Sequence, residues 1–444
     1  MKTTSVFLAL LFAGTSFALP PIESSATLPR GGAGHAVSPI DTANANQQPT
    51  FLTEALSGTT VALAMIPSSI AYSAMAGVNP LVGVWSSVIL GAVSAVTGMR
   101  RGLVAGCASV VAVPLASVVA KSPEYMAPTI LLAAAIELLF SLFRGGEWIR
   151  LVSDTVMTGF LNGLGGLLLK SQLKVFLKAG KLLPGNEFVA TLAITLLTAA
   201  LSLGLPKVLP STFPTALTAI VASAFVAQIL KLPVACLSVG GGQSWKDVVP
   251  SFVGFPKIDS PILKIIAPAA LSIAVISILE TLLAVVVVDE ATGFTVPGSL
   301  DKSCRGMAIG NAVSALFGGF GGCGLIPQTL INISSGGRGI ASVLAYAIVM
   351  ALGIVFTSSW INMVPCASFA GVMILVALRT IQWKPTADAV TAALQRNKAS
   401  NPKLFNQATT SAIALLVASF LCFKVDMGSG IIVGVLLDKL LPKL

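Results

Sequence analysis

The chain has 444 residues, of which 55% are hydrophobic and only 10% charged, with mean hydropathy +0.91 and a formal net charge of +10. A soluble domain carries about 25% charged residues, so this composition excludes a protein clothed by a water-exposed surface. The positive charge would point to nucleic acid in a soluble protein; here the basic residues sit mostly in short loops beside apolar runs, as the orientation rule for membrane proteins requires, and no nucleic-acid partner is expected.

In chain order, the leader comes first. "MKTTSVFLALLFAGTSFALPP" carries Lys2, a short apolar core and small residues at Gly14, Ser16 and Ala18, which predicts a signal peptide over 1–16. Residues 17–50 are rich in Ser, Thr, Ala, Pro and Asn, with Glu23 and Asp41 as the acids, and are predicted to be disordered. That acid-poor tract has the character of a transit peptide. Two destinations stay open: the plastid envelope of an alga with secondary plastids, through a bipartite presequence, or the plasma membrane or another endomembrane, through a secretory signal and linker.

From residue 51 onward apolar runs recur, each approaching the roughly 20 residues that a helix needs to cross a bilayer. Fourteen spans are predicted, near 51–76, 81–98, 104–120, 127–143, 151–169, 188–204, 212–230, 262–288, 303–317, 323–334, 339–358, 361–378, 385–422 and 427–441. The thirteenth includes a polar approach at 385–404. Their Ala, Gly, Ser and Thr content suits close helix packing in lipid, and the period-2 alternation of a membrane barrel is absent. The expected fold is an all-α polytopic membrane protein. Loops on the side of residue 50 hold more Lys and Arg than the opposite loops, which places residue 50 inside. A cleaved secretory signal alone would leave it outside, whereas re-import across plastid membranes would leave it in the stroma.

Within this frame two segments share a shape: "GLVAGCAS" (102–109) and "GGFGGCGL" (318–325). At one constant offset Gly77 meets Gly293, Gly102 meets Gly318, Gly106 meets Gly322 and Cys107 meets Cys323. Each half has a long apolar span followed by a short, glycine-interrupted one. Paired broken segments at matching places are the best sequence pointer to the central site of a transporter. Seven spans per half is an odd number, so the halves are expected in opposite orientation.

Three motifs add specificity. "SGTTVALAMIPSSIAYSAMAGVNPLVGVWSS" (57–87) resembles the first two spans of the SulP family of anion transporters, "SILETLLAVVVVDEATG" (277–293) its eighth span, and "GNAVSALFGGFGGCGLIPQTLINISSGGR" (310–338) the tenth-span entry of its bacterial members. The resemblance runs from about 51 to 444. It implies seven-plus-seven inverted repeats, with two half-helices meeting mid-membrane and a core domain (51–143 and 262–358) moving against a gate domain (151–230 and 361–441). It also implies a homodimer and a cytosolic STAS domain after the last span, but the sequence stops at "LLDKLLPKL".

A helix that starts within the membrane leaves its first N–H groups unpaired and carries about half a positive charge there. An anion suits such an end without any cationic side chain. Two such ends are expected, one at Ala108, Ser109 and Val110 with Val111, the other at Gly324, Leu325, Ile326, Pro327 and Gln328. Pro327 fits a first turn, where its missing N–H costs nothing. The same glycines could instead serve only close helix packing. By the resemblance, Gln328 stands where most members carry Arg, so attraction would come from helix ends and hydrogen bonds, favouring small, weakly held anions. Ser68 and Tyr72 would add hydroxyls. Thr329 either adds another or is a plain helix-turn hydroxyl.

Glu280 lies mid-span, where a carboxylate is costly and usually functional. The resemblance makes it the coupling residue for Na⁺ or H⁺, against a structural carboxylate bonded to a neighbouring helix. Sodium-coupled members carry a hydroxyl one turn later, where this chain has Ala284. Glu137 is also intramembrane and is expected to be structural, and Asp289 and Glu290 to make interface or loop contacts. The six cysteines (107, 236, 304, 323, 366, 422) are scattered without a CxxC and are expected to be small buried hydrophobes. The sole histidine is His35, in the leader, so the body holds no His-based metal site and no Ser-His triad. No cofactor and no enzymatic activity are expected. The predicted function is secondary active transport of a small inorganic anion, bicarbonate first, then sulfate or chloride; the alternative is a channel-like or non-transporting membrane protein on the same scaffold.

Overall fold

The computed structural model describes residues 50–147, 153–178, 181–208, 215–236, 251–254, 259–293, 295–361, 363–394, 402–424 and 427–440. The signal peptide and nearly all of the transit-like leader lie outside them. The first half contains α1 (Phe51–Ala76), α2 (Pro80–Thr97), β1 (Ala105–Gly106), α3 (Ser109–Val119), α4 (Met126–Leu142), α5 (Asp154–Gln172), the exposed pair β2 (Leu177–Lys178) and β3 (Lys181–Leu182), α6 (Gly185–Val208) and α7 (Thr215–Ile229). The second half contains α8 (Ser260–Thr292), α9 (Ser299–Leu316), β4 (Cys323–Gly324), α10 (Ile326–Ser334), α11 (Ile340–Ile361), α12 (Cys366–Thr380), α13 (Trp383–Leu394), α14 (Pro402–Lys424) and α15 (Met427–Leu440). Among the described residues six helical stretches are long and apolar enough to cross a membrane, α1, α2, α6 and α8 among them.

One predicted span is corrected. The run 385–422 is two helices, α13 and α14, rather than one. Pro402 lacks an N–H and so favours a helix start over a helix interior. Other boundaries move as well: α6 runs on to Val208, α8 runs on to Thr292, α9 opens four residues early, at Ser299, with Asp301 in its first turn, and α12 opens five residues late, at Cys366.

Apolar residues face outward on many helices, including Leu138, Leu139, Val189, Phe225, Ile348 and Leu416, as a lipid-facing surface requires. The helices pack as two groups. In one, α1 packs on α2, α3, α10 and α11, while α8 packs on α3, α4, α9 and α10; in the other, α5 packs on α12, α14 and α15, and α6 on α7 and α12. The groups meet through α1 against α7 and α12, α3 against α5, and α8 against α15.

The repeat seen in the sequence recurs in the backbone. Gly77 and Gly293 both close their helices in the left-handed region, with φ +79° and +74°, and Gly102 and Gly318 adopt φ +85° and +74° before the two short segments. A side chain is disfavoured at all four, which accounts for the paired glycines. The halves are tied at one end of the group. Arg100 Nε donates to Asp289 Oδ1 at 2.6 Å, Arg100 Nη2 donates to Thr292 Oγ1 at 3.0 Å, and the Arg100 N–H donates to Ser303 Oγ at 3.0 Å. Asp289 is thus a contact to the loop after α2, while Glu290 is exposed. Glu54 on α1 caps α11, accepting from the N–H groups of Arg338, Gly339 and Ser342 at 2.8–3.1 Å. Cys107, Cys304, Cys323 and Cys422 are buried as expected; Cys366 is half-buried, and Cys236 is exposed in the segment after α7, where its backbone bridges to Pro365.

Candidate functional site

The site is built on two broken segments that pair with each other. β1 and β4 run antiparallel, with Ala105 opposite Gly324 and Gly106 opposite Cys323. The Leu325 N–H extends the ladder by donating to Val104 O at 2.8 Å. Each strand leads directly into a short helix, α3 of 11 residues and α10 of 9. At 1.5 Å per residue these span only about 16 and 14 Å, half a bilayer. Because the strands are antiparallel, the helices leave in opposite directions and their N-termini meet at the crossing.

The glycine-rich approach to α10 is held by one backbone carbonyl and by side chains from three helices. The N–H of Gly319 donates to Ser314 O at 2.7 Å, of Phe320 to Ser86 Oγ at 3.0 Å, of Gly321 to Ser314 Oγ at 3.3 Å, of Gly322 to Asn311 Oδ1 at 2.8 Å and of Gly324 to Thr281 Oγ1 at 3.0 Å. In lipid each of these groups needs a partner, and here each has one. The glycines are required because the backbones touch: a Cβ on Gly322 would overlap the Gly106 carbonyl oxygen and reach its carbonyl carbon at 2.6 Å. On the first segment the Cys107 N–H donates to Ser87 Oγ at 3.1 Å.

These bonds sort the expected site residues. The amides of Gly324 and Leu325 are already engaged, so those residues shape the approach rather than offer donors. The Ala108 carbonyl accepts from Val111 and Ala112, and Leu325 O accepts from Thr329 N. Neither helix start has a side-chain cap. Among the described residues the N–H groups of Ser109, Val110, Ile326 and Gln328 make no hydrogen bond, and Pro327, exposed in the first turn, has none to offer. Thr329 is fully buried, and its hydroxyl accepts from the Val104 N–H at 3.0 Å, tying the second half-helix to the first segment.

Side chains from α1 and α8 face the same place. The Tyr72 hydroxyl bonds Ser68 and lies within electrostatic reach of Cys107, Cys323 and Glu280. Ser68, Ser109, Glu280 and Gln328 are all part-exposed although they lie within the helical core. Among the described residues Glu280 makes no hydrogen bond or ion pair and the Gln328 amide no hydrogen bond. Ala284 packs against the break, where a Cβ on Gly324 would lie 3.2 Å from it. No group of three His, Cys, Asp or Glu among the described residues could hold a metal ion.

Sequence reasoning missed Ser86, Thr281, Asn311 and Ser314. Small polar residues are ordinary in packed membrane helices, so only their spatial convergence distinguishes them. Chemically, two helix N-termini with bare N–H groups, a tyrosine hydroxyl and a lone carboxylate can accept a small anion together with a proton or cation.

Comparison with known proteins agrees with the geometry. The model of the sulfate permease family matches residues 51–200 and 188–393. The chain belongs to the sulfate permease family. This family consists of transporters rather than enzymes. This permease-family chain is 29% identical over 387 residues to YbaR of Bacillus subtilis (strain 168), whose name proposes a sulfate transporter, covering 86% of this chain and 75% of that protein. It is 26% identical over 357 residues to the bicarbonate transporter BicA of Picosynechococcus sp. (strain ATCC 27264 / PCC 7002 / PR-6), covering 73% of this chain and 61% of BicA. It thus spans about three-fifths of that relative's length. The transmembrane domain of a cyanobacterial BicA superposes with a TM-score of 0.69 at 23% identity, covering 84% of this chain and 97% of that domain. The fold is that of a multi-pass integral membrane protein of fourteen spanning segments in two inverted sets of seven, α1–α7 and α8–α12 with α14 and α15; α13 is additional.

Proposed function

We propose that this permease-family chain is a secondary active transporter of a small inorganic anion, with bicarbonate the first candidate and sulfate or chloride next. One observation carries it: the β1–β4 crossing brings the unpaired N–H groups of Ser109, Val110, Ile326 and Gln328 to one place. With glutamine rather than arginine at 328, the charge on offer is about half a unit per helix end, which suits small, weakly held anions. Ser68 and Tyr72 line the same place, and Glu280 is the coupling group, for H⁺ or Na⁺. The two packed helix groups support alternating access, a core of 51–143 and 262–358 moving against a gate of 151–230 and 361–441. The acid-poor leader supports a plastid envelope address.

The test is reconstitution of the full chain in liposomes. Uptake of ¹⁴C-bicarbonate, ³⁵S-sulfate and ³⁶Cl⁻ is measured with and without Na⁺ or a pH gradient. Saturable uptake that follows one of the gradients is expected. Non-saturating flux proportional to concentration would point to a channel, and no flux of any of the three anions would remove the proposal.

A further inference from the structure

Beyond the cluster that faces Tyr72, a second carboxylate acts on the break from behind. Glu137 on α4 is buried, and Asn311 Nδ2 on α9 lies 3.0 Å from each of its oxygens. The same Nδ2 lies 3.2 Å from Gly322 O, while Asn311 Oδ1 accepts from Gly322 N at 2.8 Å. Ser277 on α8 completes the ring: its hydroxyl donates to Gly322 O at 3.1 Å and lies 3.5 Å from Asn311 Nδ2. One asparagine therefore engages both faces of the Gly322 residue, and the carboxylate behind it accepts from that amide.

The choice of Gly322 matters. It is the residue whose Cα is pressed on the Gly106 carbonyl, at the crossing of the two broken segments. It precedes by four residues the first unpaired N–H of α10. Gly322 fixes the amide orientation, its N–H meeting Oδ1 and its carbonyl meeting Nδ2, and Glu137 accepts from the Nδ2 this presents; an Asn311 turned over would face Gly322 N with a donor and Gly322 O with an oxygen. A fully connected buried network rigidifies what it touches, and a broken one leaves buried polar groups orphaned.

We infer that Glu137 and Asn311 are positioning residues for the second half-helix, setting where the N–H groups of Ile326 and Gln328 lie although neither touches an anion. This role rests on the proposed transport function only for its kinetic readout. A second readout is independent of transport.

That readout is amide hydrogen exchange of the full chain over 319–325. Glu137→Ala and Asn311→Ala are expected to speed exchange at these amides at least tenfold, and Glu137→Gln, whose oxygen still accepts from Asn311, to leave it near the wild-type rate. Ile194→Ala, in the cluster with Ala227 and Ala367 on the other helix group, makes a cavity of similar size away from the break and serves as the control. Unchanged exchange at 319–325 in both alanine variants overturns the role, whether or not any anion is transported. The kinetic arm compares the same proteins in liposomes. Glu137→Ala and Asn311→Ala are expected to raise the KM of the transported anion about tenfold, with Glu137→Gln restoring it; Ile194→Ala lowers only the amount of folded protein. Wild-type KM in both alanine variants overturns the role in anion binding. If the wild-type protein moves no anion, the transport proposal fails and the exchange result still decides whether these residues hold the break.

Discussion

Gly322→Ala tests whether the crossing of the broken segments is as tight as the geometry requires. The added Cβ would overlap the Gly106 oxygen and lie 2.6 Å from its carbonyl carbon and 2.7 Å from Leu90 Cδ1. Carbon–carbon contacts settle at about 3.5–4.0 Å, so the strands would have to part by roughly 1 Å. Two of the neighbouring bonds, Gly322 N to Asn311 and Leu325 N to Val104 O, stand at 2.8 Å and would stretch beyond hydrogen-bonding range. Two or three buried groups left unpaired at about 1–3 kcal/mol each give a loss of about 2–9 kcal/mol. Gly106→Ala is the internal comparison. Its Cβ would meet the Tyr346 hydroxyl at 2.8 Å, Leu325 Cδ1 at 3.0 Å and Met65 Cε at 3.3 Å, all ends of side chains that can give way. That overpacking costs about 1–3 kcal/mol. Thermal unfolding in detergent should therefore rank wild type above Gly106→Ala and Gly106→Ala above Gly322→Ala, with uptake lost in the last. A Gly322→Ala protein as stable as Gly106→Ala would refute the close approach.

Other perturbations follow from the same geometry. Glu280→Gln should make anion uptake indifferent to both Na⁺ and pH gradients; uptake that still follows a gradient would remove Glu280 from coupling. Arg100→Met leaves Asp289, 13% exposed, without its cation and should cost about 3 kcal/mol, read as a lower Tm with unchanged KM. Glu54→Gln sets an amide donor against the N–H groups at the start of α11 and should cost about 2 kcal/mol, again without altering KM.

Much of the architecture was legible because the bilayer leaves few options. Apolar runs of bilayer length mark spans, and paired glycines mark paired left-handed turns, as Gly77 with Gly293 and Gly102 with Gly318 show. Helix starts at Ser109 and Ile326 were legible for the same reason: glycine, then a residue tolerant of a first turn. The anchors were not. Ser86, Asn311 and Ser314 carry the unwound approach to α10, yet each is one small polar residue in an apolar helix; Ser86 is distinguished by a contact across the fold, and Asn311 and Ser314 by the chain turning back on the end of α9. Glu137 shows the same limit: its burial could be foreseen, but its link through Asn311 to Gly322 depends on how α4 packs on α9. The split of α13 from α14 was obscured by counting a polar approach as part of a span.

The central claim is that uncapped helix ends at the β1–β4 crossing hold the anion. Gln328→Glu tests it most directly. A carboxylate in the first turn of α10 should leave the fold intact or stabilise it by about 0.3–1 kcal/mol through the helix dipole. It should also place a like charge beside the bound anion. In liposomes carrying the full chain, the expected result is an unchanged or higher Tm together with at least a tenfold rise in KM for the transported anion. Wild-type KM in that variant would contradict the claim.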